Sequence, residues 1–200
     1  VAGLFGCAEV DIANLGLIDP HIDGSQGGTG AFVGHLRGGT ILGCYVEGGV
    51  VSGSRFAGGL VGVSGMGESI WGIGGWCSNN TQVVDSYVLG THVTGEAAGG
   101  LVGSNSGIIA DSFMVGVVQG EAHQGALVGI NTCKGPGDAH CPEITHSYWD
   151  TKTTGLANMC GNPEGPNCDA SRVRTTTEMK QQSTFEGWDF IKVWGIGEGQ

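Results

Sequence analysis

One short phrase recurs through this chain: a small residue, two apolar residues, then Gly. It reads Ala31-Phe32-Val33-Gly34, Gly59-Leu60-Val61-Gly62, Gly100-Leu101-Val102-Gly103 and Ala126-Leu127-Val128-Gly129, and an earlier copy reads Gly3-Leu4-Phe5-Gly6. The closing glycines follow one another at 28, 28, 41 and 26 residues. Self-similarity at such a period marks a stack of supersecondary units, none of which buries its apolar face alone.

A second apolar run follows each phrase. These runs are Ile41-Leu42-Gly43-Cys44-Tyr45-Val46, Val83-Val84-Asp85-Ser86-Tyr87-Val88, Ile109-Ala110-Asp111-Ser112-Phe113-Met114 and Ile144-Thr145-His146-Ser147-Tyr148-Trp149. Each sets a β-branched residue, then Cys or Ser, then an aromatic at the same spacing. Shorter runs close most units: His21-Ile22-Asp23-Gly24, Val50-Val51-Ser52-Gly53, His92-Val93-Thr94-Gly95 and Val117-Val118-Gln119-Gly120. One unit therefore reads as three short strands separated by Gly-rich turns. The 41 glycines supply corners that other residues enter only with strain. A disordered linker fits poorly, because apolar residues recur in register, and the strict Gly-X-Y triplet of collagen is missing.

These patterns predict an all-β fold, a β-solenoid (β-helix) of about five coils over residues 1–155. Stacking at ~4.8 Å would form one interior ladder of Leu4, Phe32, Leu60, Leu101 and Leu127, and another of Tyr45, Tyr87, Phe113 and Tyr148. Two units carry insertions, near Met66 to Asn80 with Trp71 and Trp76, and near Cys133 to Pro142. Residues 156–200 read as a Pro-containing loop and a capping segment. There Thr175 and Glu178 form a capping box ahead of a short helix, and an aromatic stretch from Phe185 to Trp194 lies back on the last coil.

The Gly-Leu-Val-Gly phrase, the Asp-Ser-Tyr type of run and the tail Tyr148-Trp149-Asp150-Thr151-Lys152-Thr153-Thr154-Gly155 resemble the GLUG-repeat family. So do Thr176-Thr177-Glu178-Met179-Lys180-Gln181-Gln182-Ser183-Thr184-Phe185 and Gly187-Trp188-Asp189-Phe190 with Val193-Trp194-Gly195-Ile196. The resemblance spans nearly the whole chain. It implies a repeat module of large secreted or cell-surface bacterial proteins, adhesin-like ones among them, and it transfers no catalytic residue. More cysteines and longer inserts set this chain apart from a plain repeat array.

Composition narrows the function further. With 8 basic against 19 acidic residues and a net charge of −11, nucleic acid is disfavoured as a partner. No apolar run approaches the ~18 residues of a membrane span. The lack of an initial Met and of a signal peptide reads as a processed or excerpted segment. Seven cysteines point to an oxidising, extracellular or cell-surface setting. Cys133 with Cys141, and Cys160 with Cys168, are expected as local disulfides across short loops. An odd number leaves a thiol over: Cys44 aligns with buried serines, whereas Cys7 and Cys77 are candidates for an intermolecular bridge. Asn79-Asn80-Thr81 is a glycosylation sequon at Asn79.

Asp85 and Asp111 align in adjacent units, which raises acid–base chemistry or Ca²⁺ ligation. The same column holds Gly43 and His146, so three carboxylates do not gather, and a polar turn is the preferred reading. The histidines lack zinc-ligand spacing. No catalytic residue, metal or cofactor is expected. The leading functional expectation is a structural protein whose subunits stack head to tail into a surface fibre through an exposed apolar edge at Val1, Leu4, Phe5 and Val10. The alternatives are an adhesin or stalk module of a larger surface protein, with surface glycans as partners, and a carbohydrate-active β-helix enzyme.

Overall fold

The computed structural model describes residues 1–65, 80–133 and 141–197. Strand pairings within it are all parallel. Their register follows the repeat. Phe5, Val33, Val61, Val102 and Val128 form one row of partners, and Ile12, Ile41, Val83, Ile109 and Ile144 form another. Phe32, Leu60, Leu101 and Leu127 are fully buried between the sheets. Leu4, expected in the same interior row, is 51% exposed at the sheet edge.

The solenoid of about five coils is corrected by the sheet topology. The described strands form two sheets, one of nine strands and one of ten. The nine-stranded path doubles back at Val33–Leu42, whose first half pairs with the phrase strands Phe5–Glu9 and Val61–Ser64. Its second half pairs with Ile12–Ala13 and Thr81–Val84. In the ten-stranded sheet, Tyr87–Gly99 and Phe113–Gly125 each run unbroken for 13 residues where several short strands were expected. The glycines taken for corners stay inside these strands. Gly90 adopts φ +71° at a register shift between Leu89 and Thr91, so the ladder passes through a bulge instead of ending.

The predicted C-terminal helical cap is corrected as well. The capping box does close: Thr175 N–H donates to Glu178 Oε2 at 2.8 Å and Glu178 N–H to Thr175 Oγ1 at 3.3 Å. Only isolated 3₁₀ turns follow, at Glu178–Lys180 and Gln182–Thr184, because Gln181 between them is extended at φ −119°, ψ 125°. The α-helical turn among the described residues is Thr151–Thr154, capped by the Asp150 side chain and ended by Gly155 at φ +70°.

Two interior columns hold the units together. Where backbones of successive units cross, a Cβ on Gly58 would meet Val61 O and sit 2.6 Å from Gly103 N. A Cβ on Gly99 would likewise meet Val102 O and Gly129 N. The glycine preceding the phrase in one unit thus faces the glycine closing it in the next. Beside them runs a buried polar column. Cys44 N–H donates to Ser86 Oγ at 3.1 Å, Ser86 N–H to Ser112 Oγ at 3.2 Å, and Ser112 N–H to Ser147 Oγ at 3.3 Å. Each serine hydroxyl in turn donates to the carbonyl two residues back, at Val84, Ala110 and Thr145. A column of hydroxyls inside an apolar core is stable only when every member is satisfied in this way.

The far edge of the stack is covered. Leu127 N–H donates to Met159 O and Gly161 N–H to Val128 O, both at 3.0 Å. Asn158-Met159-Cys160-Gly161 therefore continues the phrase in space, with Met159 and Cys160 buried. The Cys160–Cys168 disulfide closes the loop that leaves this rung.

Gly99→Ala is expected to destabilise the fold by about 3 kcal/mol, since both obstructing groups are backbone. Gly6→Ala, where the nearest side-chain atom is 4.0 Å away, should cost less than about 0.5 kcal/mol. Urea unfolding midpoints at equal m-values measure both.

Candidate functional site

Asn14, Gly43, Asp85, Asp111 and His146 follow the last residue of five successive paired strands, and all five have left-handed backbones, φ between 42° and 59°. The first four donate their N–H onward, Asn14 to Leu42 O, Gly43 to Val84 O, Asp85 to Ala110 O and Asp111 to Thr145 O. Asn, Asp, Gly and His are the residues that tolerate this conformation best. The Asp85–Asp111 pair is thereby explained by backbone geometry. The carboxylates are neighbours: burial pushes the Asp85 pKa up, and the Asp111 charge pushes it further. Burial raises Asp111 too, while His146, whose Nδ1 lies 3.5 Å from Asp111 Oδ1, pulls it back down. Among the described residues, no group of three or more His, Cys, Asp or Glu could hold a metal ion.

The aromatic column stands beside this turn. Tyr45 and Tyr87 stack at 5.1 Å and 7° between ring planes, and Tyr87 and Phe113 at 5.0 Å and 2°. Tyr148 is the next partner in register. Tyr87 donates its hydroxyl to Glu47 Oε1 at 2.8 Å, and burial with this acidic partner drives its pKa upward. The C-terminal tail lies along the column. Trp188 packs against Tyr148 and Phe113, and Trp194 against Phe113 and Tyr87. Trp188 Nε1 donates to His146 O at 2.8 Å and Glu186 N–H to the Tyr148 hydroxyl at 3.1 Å, which fixes the tail over the left-handed turn.

Among the described residues, the tail makes no ring contact beyond Tyr87. A cleft of about 670 Å³ opens there, lined by Tyr45, Tyr87, Trp194 and Val193, with Asp85, Asn14 and Lys192 as its polar groups. The Trp194 indole N–H is buried without a well-formed hydrogen bond, yet it acts on Asp85 and moderates the upward shift of that carboxyl. A smaller cavity of about 230 Å³ lies on the other side of Trp194, beneath Phe185 and Trp188. A concave, largely apolar space with a few convergent polar groups is where a small ligand is held. Sequence reasoning weighed Asp85 only as a pair with Asp111 and missed the cleft, because the tail that forms its wall is distant in sequence.

The other predicted residues fall in separate places. Cys133 is bonded to Cys141 and Cys160 to Cys168. Cys7 is a free thiol on the exposed first edge. Cys44 is free and buried in the serine column, where burial pushes its pKa up. Val1, Leu4, Phe5 and Val10 are 43–60% exposed along the same edge as Cys7. Cys77 and Asn79, with Trp71 and Trp76, lie outside the described residues.

No family model matches the chain, and no curated protein does. Among solved structures, it is similar to a protein of Bacteroides ovatus named "putative immunoglobulin A1 protease", with a TM-score of 0.53 and 24% identity. The match covers 74% of this chain and 45% of that one, so the chain corresponds to less than half of its neighbour. A likeness at this identity shows a shared fold. Two disulfides accord with an oxidising compartment. No described helix is long and apolar enough to cross a membrane.

Asp85→Asn tests the origin of the acidic pair. The raised folded pKa means that the native state holds the proton more tightly than the unfolded chain. The stabilisation from protonated Asp85 is therefore present below the ordinary Asp value of about 3.9 and lost as pH rises through the folded value. At pH 7 the variant should be at least as stable as wild type, Asn14 showing that Asn suits this turn. Its advantage should shrink on acidification to about pH 4. Thermal midpoints across that range measure it, and a large loss at pH 7 would assign Asp85 an ionised structural role instead.

Proposed function

We propose that this chain is a non-catalytic module of a larger extracellular or cell-surface protein of the GLUG-repeat kind. The observation that carries the reading is the disulfide-closed loop covering the last rung, where Cys160–Cys168 braces a segment in register with the core phrase. Such covalent bracing belongs to oxidising environments. The solved neighbour is named for an immunoglobulin substrate, and that name supports the same location. The acidic residues that first suggested catalysis sit where a left-handed turn selects for them, which favours a scaffold over an enzyme.

End-to-end assembly into a fibre is a second reading. It draws on the unpaired edge bearing Val1, Leu4, Phe5 and Val10. The opposite edge weighs against head-to-tail stacking, because the 156–168 segment already occupies it.

Mild protease treatment of intact producing cells, followed by mass spectrometry, should release peptides of this chain before any cytoplasmic marker appears. Release only after lysis would overturn the surface assignment. Sedimentation of the purified chain should show one species at all concentrations, with or without reductant. Concentration-dependent polymers would restore the fibre reading.

A further inference from the structure

We propose that the cleft beside Tyr45 is a binding site for a neutral saccharide, an inference that rests on the chain being a surface-exposed module. Its volume of about 670 Å³ lies within the ~300–1,000 Å³ of small-ligand sites, room for roughly two or three sugar rings. Its walls are aromatic and aliphatic, from Tyr45, Trp194 and Val193. Such surfaces suit the C–H faces of a pyranose, and aromatic residues supply contact area at low entropic cost.

The polar groups decide the ligand class. The Trp194 N–H is buried and directed at Asp85, so it steadies that carboxyl rather than meeting a ligand, and Asp85 and Lys192 are the acceptor and donor that line the cleft. An acceptor and a donor lining one cleft match sugar hydroxyls, each of which both donates and accepts. Asn14 adds an amide that can do either. One ammonium, Lys192, offsets the one carboxylate among the lining residues, so the cleft selects neither a cation nor an anion. The net charge of −11 further disfavours an acidic glycan. Tyr87, its hydroxyl committed to Glu47, serves as floor.

The test is calorimetric titration of the purified chain with neutral oligosaccharides of gluco, manno, galacto and N-acetylglucosamine configuration. Tetraethylammonium and an oligogalacturonate serve as probes of the cationic and anionic classes. At least one neutral oligosaccharide should bind saturably. Asp85→Asn, which removes the carboxylate acceptor, should weaken it about tenfold, or about 1.4 kcal/mol. Tyr45→Ala should weaken it at least as much, and unfolding midpoints identify any variant that has lost its fold. No saturable binding by any neutral sugar at millimolar concentration would overturn the proposal. So would unchanged affinity in both folded variants, or preferential binding of the ammonium or the acidic oligomer. The assay uses purified protein, so its failure leaves the cell-surface release result standing, and the converse holds.

Discussion

Backbone crossing at glycine is the constraint on which the rest of this structure depends. Successive units approach so closely that Gly58 and Gly99 leave no room for a Cβ. Those crossings bring the phrase of one unit against the phrase of the next and hold Val33, Val61, Val102 and Val128 in register. Register in a parallel sheet with one buried face is otherwise set by apolar pattern alone, and a one-residue slip would turn every side chain over. Here a slip would also drive a side chain into backbone. The glycines thus do more than permit turns; they select one alignment of the stack.

Once register is fixed, every column becomes chemically uniform. The serine column can exist because each hydroxyl finds both an N–H and a carbonyl at the same height in each unit. Cys44 enters the same position with a thiol that reaches the Leu42 carbonyl at 3.4 Å, which is why a buried free cysteine is tolerated there. The column of Asn14, Gly43, Asp85, Asp111 and His146 obeys the same logic with backbone conformation as the shared demand. A column of aligned carboxylates arises as a by-product of turn geometry, and their raised pKa values follow from burial beneath the tail.

The sequence made the parallel, all-β character and the row partners legible, because both follow from a repeat counted in residues. The aromatic column was legible for the same reason: Tyr45, Tyr87, Phe113 and Tyr148 keep a fixed distance from their β-branched neighbours. The number and extent of sheets were not legible. Whether Gly90 or Gly120 ends a strand or sits within one depends on hydrogen bonds to adjacent units, and glycine is compatible with both outcomes. The rung at Asn158-Met159-Cys160-Gly161 escaped notice because Asn and Cys replace the small and apolar residues of the phrase. Only its hydrogen bonds to Leu127 and Val128 reveal it. The helix expected after Thr175 failed for a local reason, since a capping box starts a turn but cannot sustain one without an apolar face to bury.

The place of the cleft follows from how the aromatic column and the described tail meet. The aromatic column continues past Tyr45 to Gly16, its partner in register, where a Cβ would strike the Tyr45 ring. Gly16 therefore lets that ring lie flat on backbone, and the column ends there without a further side chain. Among the described residues, the ring contacts of the tail run along the column from Tyr148 to Tyr87, which Trp194 meets. Tyr45 lies one unit beyond the last ring that the described tail touches, and it lines the cleft. Asp85, with Trp194 beside it, stands at the rung of Tyr87, next to the Tyr45 rung where Gly43 holds the equivalent position, so the cleft is bordered by an aromatic surface and by charged groups.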